Sequence, residues 1–126
     1  MKGALTMNAE KMKTRTKEFA KSIINLCRRL PNNREGRLIG NQLFKSGTSV
    51  AANYRAACRG RSKAEFIAKL GIVEEEADET LFWLEVIGEM KIYDPSAVNS
   101  LMQECDEILA IVVSSAKTAK GTRKRV

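Results

Sequence analysis

Residues 62–88 read SKAEFIAKLGIVEEEADETLFWLEVIG and form the clearest helical pattern in the chain. Ser62 and Glu65 have the spacing of a capping box, in which the serine side chain caps the helix start and the glutamate reaches back. Apolar or small side chains then recur every three or four residues, as on one face of an α-helix: Phe66, Leu70, Val73, Ala77, Leu81, Leu84 and Gly88. The stretch predicts a long helix that starts at Ser62 and ends near Ile92.

Three further segments have the same periodicity, and together they predict an all-α fold. A first helix is expected over residues 9–30 and a second over residues 34–59. Asp94 and Pro95 then have the residue types of an N-cap and a first helical position, so they predict the start of a fourth helix. Because the connections are short, we expect an antiparallel up-down four-helix bundle.

The bundle is predicted to span residues 9–118. Residues 1–8 are expected to be a flexible N-terminus, and residues 119–126 a basic C-terminal tail. The second helix is rich in small residues, which let neighbouring helices approach closely. Its inner face is predicted to carry Leu43, Phe44, Gly47, Val50, Ala51, Tyr54 and Cys58.

The third helix has apolar side chains outside its core stripe. On a helical wheel Phe82 and Val86 fall opposite the core stripe, and Ile72 and Trp83 lie on its flank. A helix with two apolar faces generally has two partners, so Ile72, Phe82, Trp83 and Val86 are the predicted oligomer interface. The alternative is a third helix that is unusually enclosed within a single bundle.

Charge is sorted along the chain. Residues 1–63 hold 15 Lys and Arg against 3 Asp and Glu, whereas residues 64–116 hold 2 against 12. The last ten residues add five cations, and the net charge is +7. Such sorting allows attraction between two halves of one domain, docking of copies by opposite charge, or binding of the basic part to a polyanion.

Two basic clusters are candidates for contact with nucleic-acid phosphates. The first lies at the end of the second helix and in the following turn, and the second near the C-terminus: Arg55, Arg59, Arg61 and Lys63, then Lys117, Lys120, Arg123, Lys124 and Arg125. Aromatic residues are few, so binding is expected to follow the phosphate backbone with little sequence preference. The alternative is that the basic helices complement the acidic third helix and that the tail aids solubility.

Several classes of chemistry lack the residues they need. The chain has no histidine, which removes histidine-based catalytic triads and the histidine metal sites of helical bundles. Cys27, Cys58 and Cys105 are too widely spaced for a metal or redox pair. We therefore expect no enzyme activity, no catalytic residues, no metal and no cofactor. The three cysteines form no disulfide framework, which indicates a reducing cytosol, and a cytoplasmic protein is predicted. No apolar run is long enough for a membrane span, and the charged N-terminus lacks the apolar region of a signal peptide, so no membrane partner is expected.

The block from Asn41 to Glu79 resembles the four-helix-bundle family named for 23S rRNA intervening sequences. The family's pattern Gln-Leu-x-Arg-Ser-x-x-Ser-Val-x-x-Asn appears as QLFKSGTSVAAN at residues 42–53, with Lys45 in place of the commoner Arg. Many members have Glu and then Gly after this block, where this chain has Ala56 and Ala57. Any role of that acidic residue is therefore absent here.

The resemblance implies an antiparallel four-helix bundle that assembles as a homo-oligomer, typically a five-membered ring. It also implies a relationship to the accessory proteins of diversity-generating retroelements, which are basic rings that engage a reverse transcriptase and nucleic acid. The expected partners are therefore further copies of the chain, RNA or DNA, and a protein such as a reverse transcriptase.

Together these features predict a non-enzymatic, oligomeric bundle that acts as a nucleic-acid or ribonucleoprotein accessory. The alternative function is a structural protein–protein adaptor without a nucleic-acid role. In that case the basic and acidic parts of the chain contact each other within the oligomer.

Overall fold

The computed structural model describes the backbone of residues 2–124 and the side chains of residues 8–121. Four helices make up this part of the chain: α1 (Lys2–Arg29), α2 (Arg34–Cys58), α3 (Lys63–Glu89) and α4 (Pro95–Lys124). The predicted all-α fold is confirmed, since the described residues contain no strand. Helices α1 and α4 include residues 2–8 and 119–124, which were assigned to the terminal segments, and the domain boundaries stay predictions.

The starts of α2, α3 and α4 are capped by side chains, which explains where these three helices begin. The Asn33 side chain accepts from the Gly36 N–H at 2.8 Å, and Ser62 Oγ accepts from the Glu65 N–H at 3.1 Å. The Glu65 carboxylate reaches back one residue further than in a capping box, to the Arg61 N–H at 2.7 Å. Asp94 accepts from the Ser96 N–H at 3.2 Å ahead of α4.

Each helix packs against the helices next to it in sequence, and α1 meets α4 only sparsely. The diagonal pairs, α1 with α3 and α2 with α4, do not approach each other in the described part of the chain. Contacts between consecutive helices run in opposite directions. A Cβ at Gly47 would meet Ile23, and one at Gly40 would meet Leu30. Likewise the Cys105 thiol donates to the Ala77 carbonyl, and Val98 lies beside Gly88.

The core contains the predicted stripes with one correction. Leu43, Val50 and Tyr54 of α2 are buried as expected, whereas Phe44 is 46% exposed. Consecutive residues of a helix differ by about 100° in direction, so Leu43 and Phe44 cannot both point at the centre of the bundle. Burial of Leu43 therefore leaves Phe44 on the flank of α2, towards α1.

An ion-pair network closes the sparse α1–α4 contact. The Arg15 guanidinium donates to both carboxylate oxygens of Glu104, at 2.8 and 2.7 Å, and to Glu107 at 2.7 Å. These hydrogen bonds lower the pKa of the Glu104 carboxyl from its ordinary 4.5. They also raise the pKa of Arg15, whose guanidinium stays charged at any ordinary pH. The two-pronged geometry makes this pair stronger than an isolated surface ion pair.

Replacing Arg15 with alanine is expected to destabilise the fold by about 1 kcal/mol near neutral pH. An exposed ion pair generally stabilises a protein by less than this, whereas a bidentate arginine–carboxylate pair is stronger. A group whose pKa is lowered by folding stabilises the protein above its ordinary pKa, and this contribution is lost as the pH falls. The difference between wild type and variant should thus shrink below about pH 4.5. Urea unfolding at several pH values measures it. Lys11→Ala, at an exposed residue of α1, is the control and should change little.

Candidate polyanion-binding end and oligomer interface

The first basic cluster surrounds the turn between α2 and α3. Arg55 lies in the last turn of α2, and Arg59 is its C-cap, with its backbone N–H donating to the Ala56 carbonyl at 3.1 Å. Arg61 is in the turn, and Lys63 begins α3. The side chains of these four residues are exposed, and none is within ion-pair distance of a carboxylate among the described side chains.

The second basic cluster is at the C-terminal end of α4. Lys117 and Lys120 are exposed in its last turns. Arg123 and Lys124 fall within the helix, but their side chains lie outside the described residues, as does Arg125 altogether. Since the α3–α4 contacts run in opposite directions, the last turns of α4 lie at the end of the bundle where α3 begins. The structure thus brings Lys117 and Lys120 to the end that carries the first cluster, and we call this region the basic end.

The basic end also has a purely structural explanation. The C-termini of α2 and α4 both lie there, and cations near a helix C-terminus interact favourably with the helix dipole. Arg55, in the last turn of α2, gains in this way. The gain is modest at exposed positions, and it leaves the cations free to contact phosphate.

The predicted oligomer-interface residues of α3 are placed at or near the surface. Phe82 is 52% exposed and Ile72 37% exposed, while Trp83 and Val86 are half-buried. The rings of Phe82 and Trp83 meet edge to face, with centroids 4.9 Å apart and planes at 77°. The Trp83 indole N–H donates to the Glu79 carboxylate at 3.3 Å.

Two exposed apolar side chains extend this surface and were not predicted. Met90, four residues after Val86 on the same stripe, is 66% exposed. Leu38 of α2 is 56% exposed. Lys45 of α2 lies near Glu76 of α3, since its charge affects the pKa of Glu76. Leu38 lies two turns before Lys45, and Trp83 lies two turns after Glu76. Because α2 and α3 run in opposite directions, Leu38 and Trp83 lie at the same height along the bundle.

The carboxylates of α3 are not neutralised within the subunit. Of the described side chains, only Glu10, Glu18, Glu104 and Glu107 are in ion pairs, and none of these belongs to α3. Burial and the neighbouring Glu79 raise the pKa of Glu76, and Lys45 opposes this only in part. Direct ion pairs between the basic helices and α3 are therefore not found among the described residues, although the charge of Lys45 on α2 acts on Glu76.

Two open clefts flank the helices. A cleft of about 560 Å³ between α3 and α4 is acidic and is lined by Gly71, Glu74, Glu75, Asp78, Leu109 and Val113. A cleft of about 340 Å³ at the α1–α2 turn is basic, and Arg28, Arg37 and the exposed Phe44 line it. Phe44, which the apolar spacing had placed in the core, thus lines the basic cleft.

Groups suited to metal or thiol chemistry are scarce in the described part of the chain. It contains no group of three or more Cys, Asp and Glu side chains that could hold a metal ion. Burial raises the pKa of the Cys27 thiol to about 11 and that of Cys105 to about 12. Both thiols are therefore protonated near neutral pH, and neither supplies a reactive thiolate. No helix among the described residues has the length and apolar character to cross a membrane.

Comparisons with known proteins agree with the fold. Residues 10–114 match the family described as 23S rRNA-intervening sequence protein. A solved structure from Bacteroides thetaiotaomicron VPI-5482, a protein with unknown function from the S23 ribosomal protein family, is 34% identical, with a TM-score of 0.81. The match covers 86% of this chain and 97% of that one. A comparison with curated proteins gave no match. The chain belongs to the 23S rRNA-intervening sequence protein family.

Proposed function

We propose that this protein is a non-enzymatic, oligomeric, cytoplasmic binding protein whose basic end holds the phosphate backbone of RNA or DNA. The observation that carries the proposal is the meeting of two basic segments, far apart in sequence, at one end of the bundle. Their described cations lack carboxylate partners. Cations that are not neutralised within the protein release counterions when they bind phosphates, and this release drives binding without base recognition.

Assembly would multiply this binding. We propose an antiparallel up-down bundle that forms a homo-oligomeric ring, typically pentameric in proteins that this chain resembles. The opposed contact order of consecutive helices supports the up-down arrangement, and the exposed apolar face of α3 supports a subunit contact. Several copies of one basic end on a single particle bind a polyanion far more tightly than one copy does. A reverse transcriptase is a candidate protein partner through the resemblance to retroelement accessory proteins.

The function is tested by the salt dependence of binding to oligonucleotides of unrelated sequence. With six or more phosphate contacts, affinity should fall by about 10³-fold between roughly 50 and 200 mM salt. Fluorescence anisotropy with labelled single-stranded RNA and duplex DNA measures this fall. Failure to bind any of them at the lowest salt would reject the nucleic-acid role and leave the protein–protein adaptor.

Assembly is tested by placing a charge on the apolar face of α3. Phe82→Glu or Trp83→Glu is expected to dissociate the oligomer, because each removes an aromatic ring from the subunit contact and the carboxylate in its place must give up its water. Light scattering should show a fall to the subunit mass, with helical circular dichroism largely retained. Ala110→Glu, at an exposed residue of α4, is the matched control and should leave the mass unchanged. An unchanged mass for both α3 variants would remove this face as the interface.

A further inference from the structure

Helices α1 and α3 carry net charges of equal size and opposite sign. Helix α1 holds eight Lys and Arg against two Glu, whereas α3 holds eight Asp and Glu against two Lys. The two helices occupy diagonal corners of the bundle and do not approach each other. Their opposite charges therefore cannot neutralise each other within one subunit.

The contacts of each helix leave these charges available. The α1 cations that form ion pairs do so with Glu10 and Glu18 of their own helix or with Glu104 and Glu107 of α4. No α3 carboxylate is in such a pair within the described residues. A subunit thus presents one side on which Lys17 and Arg28 lack a carboxylate partner while Lys21 pairs with Glu18 at 3.2 Å, and another side whose carboxylates are in no ion pair.

Each of these two sides combines its charge with an exposed aromatic ring. On α1, Lys17, Lys21 and Arg28 are exposed at intervals that place them on one outward stripe, and Arg28 shares the basic cleft with Phe44. We call this surface, formed by Lys17, Lys21, Arg28 and Phe44, the basic side. It lies along the bundle and is distinct from the basic end.

The opposite surface lies on α3. Glu75, Glu79 and Phe82 are exposed at intervals of four and three residues, and Trp83 packs beside Phe82. We call this surface the acidic side. Like the basic side, it consists of an exposed aromatic ring with charged residues beside it, but its charges are negative.

We propose that the acidic side of one subunit docks onto the basic side of a second copy of this chain. This inference rests on the proposed homo-oligomer and names the two surfaces that meet in it. Pairing of two different surfaces is heterologous, and heterologous contacts close into rings when the rotation between subunits permits. The alternative, pairing of two acidic sides, would place Glu75 and Glu79 against like charges. Side-by-side docking also leaves the basic end free for a polyanion.

Charge reversal tests this pairing. The basic-side variant is Lys17→Glu with Arg28→Glu, and the acidic-side variant is Glu75→Lys with Glu79→Lys. Each is expected to raise the dissociation constant of the oligomer at least about tenfold, because it places like charges across the contact. The chain that carries all four substitutions has the two signs exchanged, and it should assemble within about threefold of wild type. Sedimentation velocity over a concentration series measures all of them.

Controls separate a specific contact from a general effect of charge. Gln103→Lys with Ser114→Lys adds positive charge at exposed residues of α4, away from both sides, and should leave assembly unchanged. Circular dichroism should show that every variant keeps its helices. Mixing the basic-side and acidic-side variants should also produce mixed oligomers, since each supplies the surface that the other has lost.

Two results would overturn the pairing while the homo-oligomer stands. One is a fourfold variant that stays as dissociated as the two double variants. The other is an acidic-side variant that associates more tightly with wild type in a mixture than either does alone, which is the result expected if two acidic sides face each other. A wild-type chain that is monomeric at all concentrations would instead reject the proposed oligomer itself.

Discussion

Replacing Arg55, Arg59, Arg61 and Lys63 with glutamine is expected to lower the affinity for nucleic acid by about 10³-fold near 0.15 M salt. Each phosphate contact adds roughly −0.9 to the slope of the logarithm of affinity against the logarithm of salt concentration. Near 0.15 M salt, one contact therefore raises the affinity by a little under tenfold. Loss of four contacts per site should therefore flatten the slope by between three and four. The loss should be the same for unrelated sequences, because phosphate contacts do not read bases.

The control for this variant removes cations from the opposite end of the bundle. Arg34→Gln with Lys91→Gln changes exposed residues at the start of α2 and after α3. Helix α2 has 25 residues and so separates these positions from the basic end by on the order of 37 Å. Anisotropy titrations at several salt concentrations should give wild-type affinity for the control. Equal affinities for the fourfold variant and wild type would show that phosphates are bound elsewhere or not at all.

Replacing Gly47 with alanine is expected to destabilise the fold by about 1–2 kcal/mol, although alanine is the better helix former. The new Cβ would lie 2.7 Å from Cγ2 and 2.9 Å from Cγ1 of Ile23, which is fully buried. Overpacking of a core typically costs about 1–3 kcal/mol, whereas exchange of Gly for Ala in a helix gains about 1 kcal/mol. The steric cost exceeds the gain, because the clashing atoms include Cβ of Ile23 at 3.1 Å and are not the far end of a flexible side chain. Guanidinium unfolding followed by circular dichroism measures the difference.

Gly71 provides the matched comparison. It lies within α3, and a Cβ built there meets nothing within 4 Å. Gly71→Ala should therefore stabilise the fold by roughly 0.5–1 kcal/mol, which is the opposite sign for the same substitution. If both variants were stabilised alike, Ile23 of α1 would not pack as closely against Gly47 of α2 as the structure shows.

The helices and their starts were predictable because the signals are local. Apolar spacing and the residues Ser62, Asp94 and Pro95 act within one or two turns of a helix, so they can be read without knowledge of the fold. The predicted start of α2 at Arg34 agrees with the structure. The third helix was predicted to continue to Ile92 and ends at Glu89, since helix ends depend on weaker signals.

The side chains near the flanks of the helices were harder to place. Phe44 was assigned to the core and is exposed, because a stripe of apolar residues does not say which of two neighbours points at the bundle axis. Leu38 and Met90 were missed for a related reason. An isolated apolar residue on a helix becomes part of a surface only when a neighbouring helix brings others beside it.

The amino-acid sequence by itself determined that this chain forms four amphipathic helices, that its charges are sorted along its length, and that α3 has apolar residues beyond its core stripe. Periodicity and charge order are properties of the chain alone. Only the tertiary structure decided that the end of α4 joins the α2–α3 turn to make one basic end, and that α1 and α3 lie diagonally apart. Whether opposite charges neutralise each other depends on distance in space, which the packing of the four helices sets.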